Sequence, residues 1–150
     1  MTVQDRDLGM KRIFSEMQKA QRLEVAVGIQ HGTNNGEGAS VAEYGAYNEF
    51  GTEKIPSRPF MGTSFDESRS QINSDFYREA REMIKGKSAQ QSLLTIGLKH
   101  AKRIQDVITK RNFLPNLSDR TIENKKGSTK TLVDTGALVN GIKPVVRGRT

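Results

Sequence analysis

The tripeptide Asp134-Thr135-Gly136 carries the most familiar chemical suggestion in this chain, because Asp-Thr-Gly opens the aspartic protease signature. That chemistry needs two aspartates close enough to share one proton. The tripeptide occurs once, in a turn-rich C-terminal stretch, and no comparable loop supplies a second aspartate. Gly86-Lys87-Ser88 has the closing residues of a phosphate-binding loop. That motif also requires a preceding strand and a glycine five residues earlier, where Arg81 stands. A helix break followed by a helix cap accounts for the same three residues. His31 and His100 lie sixty-nine positions apart, without a carboxylate or second histidine at metal-ligand spacing. Asp66, Glu67, Asp75, Glu79 and Glu82 gather carboxylates on one segment and read as solvated helix surface. With no cysteine there is no disulfide framework and no thiolate chemistry. The chain reads as a non-enzyme, with no cofactor and no metal.

Charge is more informative once it is divided. Residues 1–98 carry 12 Lys and Arg against 13 Asp and Glu, whereas residues 99–150 carry 12 against 4, so the net charge of +7 arises in the last third. Lys99, Lys102, Arg103, Lys110 and Arg111 fall close enough on one helical segment to form a stripe, and Lys125, Lys126 and Lys130 extend it, with Lys143, Arg147 and Arg149 beyond. These are candidate contacts to DNA or to an acidic partner, including the acidic part of another copy. Phe113 is the one aromatic residue after Tyr77, too little stacking surface for a single-strand platform.

The elements that must position these residues follow from periodicity. Met10, Ile13, Phe14, Met17 and Ala20 recur at helical spacing, which predicts an amphipathic helix over roughly 7–21 capped by Asp5 or Asp7. Leu23, Val25, Val27 and Ile29 alternate with smaller or polar residues and predict a strand with one buried face. Residues 31–39 read as a flexible loop. Ser40 with Glu43 is a capping-box pair for a helix over 41–49, ended by Gly51. Phe65, Ile72, Phe76, Ala80 and Met83 mark a helix to about Lys85. A second capping box, Ser88 with Gln91, opens another to about Arg111, the two forming a hairpin across the sheet. Short helical turns are expected at Ser118–Lys126 and Thr135–Asn140, and an edge strand over Ile142–Arg147, where Pro144 is tolerated.

At 150 residues the chain is one domain, 1–150, able to bury about two-thirds of its unfolded surface. A hydrophobic share of 34% and a mean hydropathy of −0.64 imply a thin core and segments ordered by partners. The basic region spans 112–150. No apolar run approaches the roughly 18 residues of a membrane span, and the N-terminus mixes charges in a way unlike a secretion signal. Synthesis in the cytoplasm is expected.

Two segments remain that no chemistry explains. Glu49-Phe50-Gly51-Thr52 runs into Ile55-Pro56-Ser57-Arg58-Pro59-Phe60, a helix end, a glycine turn and an extended clamp that delivers Phe60 into a core or pocket. Phe50 and Phe60 could equally anchor the helical hairpin to the sheet. Leu132-Val133-Asp134-Thr135-Gly136-Ala137-Leu138 is an acidic cap and a tight turn with leucines packed inward. Together with Ala42, Tyr44, Lys126-Gly127 and Pro115-Asn116-Leu117-Ser118-Asp119-Arg120-Thr121-Ile122, these parts resemble, in order and spacing over roughly residues 20–147, the tail-completion and neck proteins of tailed bacteriophages. That family includes head-tail connector, virion-morphogenesis and minor-tail proteins. The chain departs from its pattern at Phe113-Leu114 and at Val139-Asn140.

The resemblance implies an α+β fold, a small antiparallel sheet packed by long helices, with a short N-terminal helix and a helical hairpin. It implies a structural virion protein whose copies form a ring, a hexamer or similar, at the head-tail junction. Its partners would be head connector or adaptor proteins and the tail tube or tail terminator, with nonspecific contact to packaged DNA and none to membrane. The assembly residues would be Glu49, Phe50, Gly51, Thr52, Pro56, Arg58, Pro59 and Phe60, with Leu117, Ser118, Asp134, Thr135, Gly136 and Leu138. A tail terminator that fixes tube length and a nonspecific DNA-binding accessory protein are the alternatives.

Overall fold

The computed structural model describes residues 7, 9–30, 40–114, 132 and 136–149. Among them the order is α1 (Met10–Gln21), β1 (Leu23–Ile29), α2 (Val41–Phe50), α3 (Phe60–Lys85), α4 (Ala89–Lys110), α5 (Ala137–Gly141) and β2 (Ile142–Gly148). The fold is α+β, with β1 and β2 forming a two-stranded antiparallel sheet. The loop at 31–39, the expected helix at Ser118–Lys126, and Leu117, Ser118, Lys125, Lys126, Lys130, Asp134 and Thr135 lie outside the described residues.

The helix ends follow local chemistry. One Asp7 carboxylate oxygen accepts from the amides of Gly9, Met10 and Lys11, neutralising donors that α1 cannot pair internally, so the helix proper starts at Met10. Ser88 and Gln91 form the full reciprocal capping box at α4. At α2 only half of the expected box forms. Ser40 accepts from the Glu43 amide at 3.3 Å, but the Glu43 carboxylate accepts instead from the Tyr47 hydroxyl.

The sheet pairs Leu23 with Gly148 through Ile29 with Ile142. Just beyond it, the Arg149 amide donates to the Arg22 carbonyl. Antiparallel alternation then points the amides of Arg147, Val145 and Lys143 at β1 and those of the even positions outward. Pro144, opposite Val27, therefore lacks a donor where the ladder needs none. The face carrying Val25 and Pro144 meets α4 at Gly97, where a β-carbon would lie 2.6 Å from both Pro144 Cβ and Val25 Cγ2. Only the absence of a side chain lets the helix approach this closely.

The hairpin lies on the sheet through α4, and α3 packs outside α4. The core gathers at one end of this arrangement, where Val41, Phe60, Ala101, Ile104, Ile108, Leu132, Leu138 and Ile142 form a single cluster with Phe113. Phe60 is fully buried and Ile104 and Ile108 are 1% exposed. Each such side chain contributes roughly 1.5–3 kcal/mol from burial.

Two apolar stripes that mark helices in the sequence do not mark their buried faces. The apolar stripe of α3 does not face the core: Phe65 and Phe76 are about half exposed, and the buried face is Phe60, Ser64, Ser68, Asp75 and Glu79. Small serines let α3 and α4 approach, and the fit of α4 selects the face rather than hydrophobicity alone. In α1 no residue is fully buried, and Met10, Phe14 and Met17 point outward at 52–58% exposure.

Gly97→Ala should lower stability by about 1–3 kcal/mol through overpacking against Val25 and Pro144. Gly148→Ala, where nothing lies within 4 Å of the added carbon, should stay within about 0.5 kcal/mol of the parent. Urea denaturation followed by far-ultraviolet circular dichroism checks both, and equal midpoints would refute the close-approach account.

Candidate functional site

The first segment folds as one supported unit. Glu49, on the last turn of α2, accepts from the Met61 and Gly62 amides, one carboxylate oxygen each, both at 2.9 Å. These are free donors at the start of α3, whose N-cap residue Pro59 has no side chain able to accept. A glutamate twelve residues upstream thus does the work of a local cap, and its negative charge suits the helix N-terminus. The loop between is closed by backbone. The Arg58 amide donates to the Asn48 carbonyl, Ser57 Oγ to the Glu49 carbonyl at 2.8 Å, and the Thr52 amide to the Ile55 carbonyl. Thr52 Oγ1 accepts from the Lys54 and Ile55 amides. Gly51 turns the chain at φ 78°, and a β-carbon there would lie 2.9 Å from the Ser57 amide nitrogen.

This unit sends its side chains in opposite directions. Phe60 enters the core, and Arg58 is buried at 7% exposure. Burial pulls the Arg58 guanidinium below the usual arginine range, with Tyr44 opposing that shift. Pro56 and Pro59 are exposed on the loop. Phe50 is 82% exposed, so it does not anchor the hairpin to the sheet. Tyr44 and Tyr47 are also exposed on α2, each at 41%.

The second segment meets the first in the core. Leu132 and Leu138 are buried in the same cluster as Val41 and Phe60. Gly136 begins α5 with φ 77°, and Gln105 of α4 donates to the carbonyls of Val139 and Ile142 at the other end of that helix. Segments some seventy positions apart in sequence are therefore neighbours.

The basic stripe is engaged within the chain. Lys99 and Arg103 both reach Asp75, Lys99 at 2.9 Å, and Lys87 reaches Glu79 at 2.6 Å and Thr95 Oγ1 at 2.8 Å. Lys102 and Lys110 flank Asp106 at 3.1 and 3.2 Å, and Arg111 pairs with Glu67. Asp75 and Glu79 are only 3% and 4% exposed, which corrects their reading as solvated surface. Burial pushes the Asp75 carboxyl up, but hydrogen bonds from Arg103 and Lys99 outweigh it and leave the group below the ordinary aspartate range. His100 packs edge-on to Phe65, rings 6.2 Å apart, and burial with the nearby Arg103 charge lowers its pKa. Among the described residues, no three His, Cys, Asp or Glu side chains gather as a metal site, and no helix is long and apolar enough to cross a membrane.

Sequence reasoning missed an apolar cleft of about 500 Å³ between α1, β1, α3 and α4, lined by Met17, Leu23, Phe76, Met83, Leu93 and Ile96. The available signal was the α3 stripe, whose Phe76 and Met83 line this cleft rather than filling a core.

Glu49→Ala should cost about 1 kcal/mol as a lost cap, with Glu49→Gln recovering part of it as a neutral acceptor, read from urea midpoints. Asp75→Asn should cost roughly 3 kcal/mol or more at neutral pH by leaving two cations short of a buried partner. The folded pKa values of Asp75, Asp106, Glu16 and Glu82 are all depressed, so the unfolded chain binds more protons in acid. Their stabilisation is present above the free-carboxyl pKa of about 4 and lost as pH falls through the lower folded values. Asp75→Asn should flatten that acid limb, and an unchanged slope would refute the assignment.

Comparison with protein-family models, with curated proteins and with solved structures finds no match to this chain.

Proposed function

We propose that this protein is a structural component of the head-tail junction of a tailed bacteriophage, forming a ring that completes the neck or tail before the two are joined. The observation that carries this reading is the physical coherence of the segments behind the family resemblance. Glu49 caps α3, Gly51 makes the turn, Pro56 and Pro59 bound the extended clamp, and Phe60 fills the core beside Leu132 and Leu138. Exposed aromatic and methionine faces on α2 and α1 suit a part that functions by being packed against neighbours.

A terminator that caps the tail tube is the close variant. The DNA-binding reading keeps part of its stripe: Lys99 and Arg103 are engaged by buried Asp75, whereas Lys102 and Lys110 share the single carboxylate of Asp106 and stay largely exposed.

Electron microscopy of lysates from the phage or prophage with this gene interrupted tests the proposal. Filled heads beside detached tails are expected for a completion protein, and overlong tails would identify a terminator. Normal, infectious particles would overturn both.

A further inference from the structure

The two edges of the sheet are not equivalent. The bond from Arg149 back to Arg22 places the even positions of β1 against β2, so the N–H and C=O groups of Leu23, Val25, Val27 and Ile29 point away from it. Among the described residues β2 is the only strand neighbour of β1, and nothing there bonds to the outward groups of Val25 and Val27. The outer edge of β2 lacks a donor at Pro144. The outer edge of β1 keeps every donor along its 7 residues, a strand of about 23 Å.

Beside this edge lies the uncovered stripe of α3. Ser64, Asp75 and Glu79 are on the buried face of α3, and Phe65, Phe76 and Ala80 each follow one of them, about 100° further round the helix. That turns the stripe to the side on which β1 lies. Met61 Cε is 3.8 Å from where a Gly28 β-carbon would stand, and Phe76 and Met83 share the cleft of about 500 Å³ with Leu23, Val25 and Ile96. Phe65 and Phe76 remain 47% and 46% exposed. The charged residues lining the cleft are Glu24 and Glu79, each matched within the chain, by Arg147 and by Lys87, both at 2.6 Å. Unpaired main chain therefore runs along an apolar trough whose charges are already satisfied.

We propose that this edge is a docking site for an extended segment of another protein, added as a third strand beside β1, with alternate side chains filling the cleft over Phe76 and Met83. Two independent requirements define that occupant. The outward groups of β1 call for the main chain of a strand, which neither a helix nor a small apolar molecule supplies. The trough calls for apolar residues at every second position, because side chains alternate along a strand and one set of them faces the helices. The parts of this chain outside the described residues do not carry that pattern. Residues 31–39 have Ala39 alone, residues 1–6 have Met1 and Val3, and in residues 115–131 Leu117 and Ile122 stand five apart. Nor do β1 and β2 of a second copy supply it, since their inward residues Val25 and Pro144 already pack on their own α4 at Gly97. The contact goes beyond the proposed function and does not depend on it.

Amide exchange by heteronuclear NMR on the full chain, with a synthetic peptide of alternating valine and threonine as long as β1 and a lysine at each end, tests the site. In the free chain the amides of Val25 and Val27 should exchange about tenfold or more faster than those of Glu24 and Ala26, which the β2 ladder protects, and the peptide should slow them to a similar degree. The same peptide N-methylated at the amides that meet β1 should bind about tenfold or more weaker, whereas added salt should change binding little. Phe76→Asp, at a half-exposed position, should weaken binding about tenfold and leave the urea midpoint of the free chain unchanged. A peptide that leaves the Val25 and Val27 amides unaffected overturns the inference, as does an N-methylated peptide that binds equally well. Amides already protected in the dilute free chain would give the edge to a segment of this chain, and protection that grows with protein concentration would give it to a second copy; either result also overturns it. None of these readouts involves phage particles, so this inference and the proposed function fail separately.

Discussion

Asp75 and Glu79, buried between α3 and α4 and held by Lys99, Arg103 and Lys87, set the geometry that the rest of the molecule uses. Two carboxylates at this depth are tolerable only if α4 presents its cations at matching heights, so the pairs fix the register of one long helix on the other. Replacing such a network by apolar residues is often no less stable; what charges add is intolerance of a shifted alignment. With that register set, Gly97 falls opposite Val25 and Pro144, and Gln105 reaches the end of α5. The apolar cluster around Phe60 then closes the far end.

The two short helices serve the hairpin by a common device. Glu16 of α1 reaches the first amide of α4, and Glu49 of α2 reaches the second and third amides of α3. Each places a carboxylate where a helix N-terminus is short of acceptors. Each short helix is thereby oriented largely by polar contacts at helix ends, which leaves part of its own apolar face uncovered. A thin core and exposed aromatics are two sides of the same construction.

Much of this was legible in sequence where the cause is local. The Ser88 and Gln91 box, the break at Gly86, the turn at Gly51 and the strand over Leu23–Ile29 depend on neighbours in the chain, and they fall where the residues indicate, although every β1 residue is half-buried where alternation predicts one buried face. Phe60, expected from the Pro56 and Pro59 clamp to enter a core or pocket, lies in the core. What sequence did not disclose depends on partners far along the chain. Nothing adjacent to Asp75 signals that cations twenty-four and twenty-eight positions later will surround it. The same holds for Glu49, whose acceptor role becomes visible only once α3 is placed against α2. The α3 stripe misled because a helix hydrophobic on one side need not bury that side when its neighbour offers serines and salt bridges on another.

Pro144 ties these observations to the fate of the free chain. Its ring packs inward on α4 at Gly97, while its nitrogen lies on the outward edge of β2. A strand approaching that edge would meet a carbonyl acceptor array with one donor missing and a charged neighbour in Lys143, a poor template for extending the sheet. Pro144 thus makes the outer edge of β2 a poor place to add another strand, whatever side chains elsewhere pack against.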